Sequence, residues 1–99
     1  MMLKRQAKDE FEMLCKLFYQ GSRDDHPSFD AWVEATVQER GAEGKILIKK
    51  YLDDLFARSP TDDELERRWQ ATSPSYGFSK GGHRLLFETI LAKINQSPS

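Results

Sequence analysis

The residues able to do chemistry are few in this 99-residue chain, and they stand apart. Two histidines, His26 and His83, lie far from each other, and neither is part of an H-E-x-x-H or similar pattern. A helical metal site needs its imidazoles about one turn apart so that both reach one ion. His26 precedes Pro27 in a polar turn. His83 stands at a helix start, where its ring is expected to cap or to meet solvent. The single cysteine, Cys15, excludes an internal disulfide and any cysteine-based zinc cluster. Its one basic neighbour, Lys16, is weak support for a thiolate, so a buried thiol is expected. Lys80-Gly81-Gly82-His83 could hold an anion on free backbone amides ahead of a helix. Its two glycines lack the phosphate-loop spacing, and a flexible start to the helix is the plainer reading. Adjacent carboxylates recur, but on exposed helix ends they are normally solvated. No catalytic constellation, cofactor site or metal site is expected, and the chain reads as a non-enzyme.

The elements that must carry these residues are helical by periodicity. Leu3, Ala7, Phe11, Leu14 and Phe18 share one helix face, with Lys4, Lys8, Glu12 and Lys16 beside it and Gly21 as a stop. This predicts a first helix over about residues 3–20. Gly21 and Pro27 punctuate a polar turn. Ser28 is a reasonable N-cap for a second helix over about 28–40, with Phe29, Trp32, Val33, Thr36 and Val37 inward and Gly41 at its end. A third helix, about 42–58, buries Ile48, Tyr51, Leu52, Leu55 and Phe56, with Ile46 and Leu47 widening the stripe. Its lysines come early and Asp53 and Asp54 late, against the helix dipole. Thr61-Asp62-Asp63-Glu64 is a capping box after Pro60, opening a fourth helix over about 61–72. Pro74, Gly77, Gly81 and Gly82 make a loop, and Tyr76–Phe78 is the one place for a short extended piece. A last helix over about 82–96 carries Leu86, Phe87, Ile90, Leu91 and Ile94. The expected fold is all-α, a small irregular bundle of about five helices in one domain spanning 1–99.

Composition agrees with this scale: 38% of residues are hydrophobic, 31% charged and 11% aromatic, enough for one modest core. Apolar runs are too short for a membrane span, and MMLKRQAKDEFE is not expected to act as a signal peptide. A cytoplasmic location is expected. The net charge of −1 conceals a split. Residues 53–66 hold six acids (Asp53, Asp54, Asp62, Asp63, Glu64, Glu66) against Arg58, a local charge of −5. Residues 67–99 hold five bases (Arg67, Arg68, Lys80, Arg84, Lys93) against Glu88, a local charge of +4. The Arg58–Thr61 turn has the length of a helix-turn-helix connection. The helix after it opens with three acids, which would repel a phosphate backbone. Nucleic acid is therefore not the expected partner, although a small helical nucleic-acid-binding regulator using the basic third is the alternative reading. The acidic segment suits a basic protein surface, where clustered charge speeds encounter.

The segment Glu64-Leu65-Glu66-Arg67-Arg68-Trp69, then Thr72-Ser73-Pro74-Ser75-Tyr76-Gly77-Phe78-Ser79, then Gly81-Gly82-His83-Arg84 and Leu86-Phe87, resembles small immunity proteins of bacterial contact-dependent growth inhibition systems. In those a helix ending in Trp, a Ser/Thr-Pro/Ala-x-Tyr stretch, a Gly-rich turn and a final apolar helix recur. The likeness covers residues 63–91, about a third of the chain. It implies an antitoxin that binds the C-terminal toxin domain of a secreted effector, commonly a nuclease, and blocks it without chemistry. The expected partner-binding residues are then Asp53, Asp54, Asp62, Asp63, Glu64 and Glu66, with Trp69, Tyr76 and Phe78 as aromatic anchors. An exposed apolar face on such a bundle could also close a homodimer.

Overall fold

The computed structural model describes residues 6–72, 77–78 and 81–96. These form six α-helices, and no strand occurs among the described residues: α1 (Ala7–Cys15), α2 (Gln20–Asp24), α3 (Phe29–Gln38), α4 (Gly41–Ala57), α5 (Asp62–Gln70) and α6 (Gly82–Gln96). α4 and α6 are the central pair. α1 lies against α4, α3 and α5 lie against α6, and α3 also touches α4.

The single first helix expected over 3–20 is corrected. Residues 3–5 lie outside the described part, and Gln6 is extended ahead of α1. The helix stops at Cys15, where Leu17 N–H bonds Leu14 O and Phe18 N–H bonds Cys15 O in a tightened last turn. The break turns Phe18 toward two tryptophans, edge-on to Trp32 at 5.0 Å and tilted to Trp69 at 6.5 Å. Gly21, expected as a stop, falls inside the extra helix α2. That short helix is tied to α3 by the Trp32 indole, whose Nε1 donates to Ser22 Oγ at 2.9 Å.

α3 starts as its sequence suggests, with Ala31 N–H donating to Ser28 Oγ at 3.1 Å. Trp32, Val33, Thr36 and Val37 are its buried face. Gly41, at φ +74°, reverses the chain straight into α4, a conformation that L-residues with a Cβ rarely adopt. On α4 the buried positions are Gly44, Ile48, Leu52 and Leu55. Ile46, expected to widen that stripe, is instead 62% exposed, because two residues along a helix is about half a turn away from Gly44 and Ile48. Gly44 lets α1 approach: a Cβ there would stand 3.1 Å from Arg40 Cβ and 3.6 Å from Glu10 Oε1.

The core is one contiguous cluster in which Phe11, Phe18, Trp32, Trp69 and Phe87 are the large rings. Phe11 stacks on Tyr51 of α4 at 4.5 Å and meets Phe87 of α6 edge-on at 5.1 Å. Such offset and edge-on pairs add roughly 0.5–1.5 kcal/mol each beyond area burial. At the rim, Lys93 of α6 bridges to α3 through Asp30 at 2.7 Å and Glu34 at 3.5 Å. No helix among the described residues is long and apolar enough to cross a membrane.

Candidate functional site

The acidic segment straddles the corner between α4 and α5. α4 ends at Ala57, Ser59 follows at φ +49°, and Pro60 is buried. The next helix is capped as its capping box requires, with Glu64 N–H donating to Thr61 Oγ1 at 3.1 Å. The reciprocal bond is replaced: Glu64 Oε2 accepts from Arg68 at 3.4 Å. The first-turn acids and the last-turn Arg67 and Arg68 of α5 all suit its dipole.

The six acids divide into two sets. Asp53 holds Lys49 at 2.6 Å, which explains its unfavourable place late in α4. Asp62 accepts from Arg84 Nε at 2.7 Å, and Glu64 pairs with Arg68, which also donates to the Tyr51 hydroxyl at 3.3 Å. Asp54, Asp63 and Glu66 are exposed and have no ion-pair partner among the described residues. Asp63, Glu66, Arg67 and Gln70 form the outward face of α5 and line a shallow open depression of about 500 Å³. The negative field of the corner is therefore weaker than the formal −5, because half of its carboxylates face a base at close range.

Of the three aromatic anchors, Trp69 is corrected. Trp69 is fully buried, with Phe78 at 5.3 Å and His83 at 6.4 Å from its ring. It shares the inner face of α5 with Leu65, and a side chain enclosed there cannot meet a partner. Phe78 is half-buried and edge-on to both Trp69 and His83. Tyr76 lies outside the described residues. His83, expected to cap or meet solvent, is only 4% exposed and shares the inner face of α6 with Leu86, Phe87 and Ile90. At the start of α6 two glycines meet backbone requirements. Gly81 sits at φ +87°, and a Cβ on Gly82 would come within 2.9 Å of Phe78 Cβ, so Phe78 packs directly against Gly82.

No family model, curated protein or solved structure matches this chain. What the site can do rests on its own geometry.

The basic third is largely engaged inside the protein. Arg68, Arg84 and Lys93 each hold carboxylates, Lys80 lies outside the described residues, and Arg67 is exposed on α5. The described residues hold no group of three or more His, Cys, Asp or Glu placed for a metal ion. Gly77-Phe78-Ser79-Lys80-Gly81 has G-x-S-x-G spacing. A nucleophile elbow requires a strand feeding the turn. Residues 73–76, which would feed such a turn, and Ser79 itself lie outside the described residues. Cys15 is enclosed, and burial, then the Glu12 charge, push its thiol well above the ordinary range and leave it unreactive.

Two charged groups were hidden from sequence reasoning. Glu10 is 1% exposed and accepts from Arg40 at 2.9 Å across the α1–α4 contact. Arg84 holds two acceptors of the corner at once, Asp62 Oδ1 and the Pro60 carbonyl, both at 2.7 Å. The only signal for either was an ionisable residue next to an apolar stripe, which is common and points nowhere without the fold.

Proposed function

We propose that this chain is an immunity protein that neutralises a cognate toxin domain, a basic nuclease, of a contact-dependent growth inhibition system by binding it stoichiometrically. The observation that carries the reading is the set of exposed carboxylates, Asp54, Asp63 and Glu66, that have no ion-pair partner among the described residues of the α4–α5 corner. Uncompensated carboxylates on adjoining helices suit a basic cleft, where charge sets encounter rate and orientation. The likeness over residues 63–91 to such immunity proteins supports the same reading. Phe78 is the aromatic left to serve as an apolar contact among the described residues of that motif, since Trp69 belongs to the core. The protein acts in the cytoplasm, before the toxin leaves or after one enters.

The nucleic-acid-binding alternative loses support from the engagement of Arg68, Arg84 and Lys93 with carboxylates. Cations already paired within the protein release few counterions from a duplex.

The test is reconstitution with the C-terminal domain of the effector encoded beside this gene. A 1:1 complex that abolishes the toxin's activity is expected. Asp54→Lys, Asp63→Lys and Glu66→Lys together should slow association at least tenfold, on the order expected for loss of electrostatic steering, with the helical CD spectrum unchanged. Equal association rates would remove the corner from the mechanism. Absence of any complex, with salt-sensitive retention of DNA in a gel shift, would favour the regulator.

A further inference from the structure

Ser59 is the only residue other than glycine with positive φ among the described residues, at +49°, and it stands immediately before Pro60. Both facts work against it. A Cβ crowds the carbonyl on that side of φ space, and the proline ring restricts the residue before it. The corner therefore needs something outside itself to hold it. Ser59 N–H reaches Phe56 O at 3.0 Å, which belongs to the same corner. The hold from another element comes from Arg84, in the first turn of α6. Its guanidinium spans the corner, Nε donating to Asp62 Oδ1 and Nη2 to the Pro60 carbonyl. The Pro60 carbonyl precedes the first intrahelical acceptor of α5, Thr61 O, which takes Leu65 N–H at 3.1 Å. Two donors fixed in one plane meet two acceptors two residues apart, a geometry that a lysine ammonium does not reproduce.

We infer that Arg84 is a positioning residue, a strap that keeps the α4–α5 corner in a conformation its own sequence disfavours and so sets the direction in which α5 presents Asp63 and Glu66. The presentation half rests on the partner-binding reading above; the strap itself does not. Hydrogen exchange on the free protein tests the strap. Arg84→Lys keeps the charge and loses the fork. It should speed exchange of the bonded Ser59, Glu64 and Leu65 amides by roughly tenfold, the scale of one charge-assisted hydrogen bond, while the amides of Val33 and Ile90 stay as they are. Adding Ser59→Gly to that variant should slow the corner amides again, because glycine adopts positive φ without the steric cost. Unchanged corner exchange in Arg84→Lys would overturn the strap. So would an equal rise at Val33 and Ile90, or a double variant no slower than the single one. With the toxin domain, Arg84→Lys should bind more slowly and the double variant should recover. An open corner with unaltered association would defeat the presentation half alone. A wild-type protein that binds no toxin domain defeats the functional reading, and the exchange result still decides the strap.

Discussion

Glu10 is buried to 1% exposure, and its Oε2 accepts a 2.9 Å bond from Arg40, thirty positions away in the chain. Burying a carboxylate is costly unless a cation and good geometry compensate it, and removing one partner of such a pair is far more harmful than exchanging both for apolar residues. Arg40→Ala should therefore lower stability by about 3 kcal/mol in urea unfolding, and a Glu10→Leu, Arg40→Met double variant should regain most of it. Cys15 offers a second test, in its pH dependence. The unfolded thiol ionises near its ordinary 9.0, while the folded one is held protonated well above that by burial and by Glu12. The folded state then binds the extra proton, so stability is intact below pH 9.0 and falls as pH rises beyond it. The slope is up to about 1.4 kcal/mol per pH unit. Chemical denaturation between pH 8 and 10.5 should show that fall in the wild type and lose this component in Cys15→Ala. The burial of Cys15 is legible in the sequence, whereas the partner of Glu10 is not, because Arg40 sits in the distant turn between α3 and α4.

Helix starts were the most legible elements, because an N-cap is a local event. Ser28 and Thr61 each accept the amide three residues on, as their positions in the chain suggest. Thr61→Ala should cost about 1 kcal/mol, by loss of the cap on α5. Thermal melts should register it, and a helix with its own cap, such as α3, should keep its amide protection. Helix ends were less legible. The 3.6-residue pattern runs through Lys16 to Phe18 unbroken, yet α1 ends at Cys15, because Phe18 packs between Trp32 and Trp69 only when the backbone turns. That preference belongs to the tertiary contact, and local propensity does not encode it. The stripe on α4 was also read too widely: Ile46 is apolar but stands on the outer side, where single exposed apolar residues are ordinary.

For the molecule as a whole, the charge split along the chain reads as two poles, and the fold joins them. Asp62 takes Arg84 and Glu64 takes Arg68, so acids and bases that the sequence assigns to opposite camps neutralise each other within the α4–α5–α6 region. What stays exposed without an ion-pair partner among the described residues is a smaller set, Asp54, Asp63 and Glu66, with Arg58 and Arg67 nearby. Association with a basic toxin domain should accordingly fall with salt, but less steeply than a free −5 segment would require. Stopped-flow rates at 50 and 300 mM salt measure this directly, and the Asp54, Asp63, Glu66 variant should lose most of the dependence.

The amino-acid sequence by itself determined that the chain is helical, where most helices begin, and most of the apolar residues that face the core. These follow from spacing and from short-range hydrogen bonds, and both act within about one turn. Only the tertiary structure decided that α1 breaks before Phe18, that His83 is a core side chain and Trp69 is fully enclosed, and which carboxylates keep their charge available at the surface. Those outcomes depend on side chains far apart in the chain meeting in space, and a pattern read along one strand of sequence carries no record of which will meet.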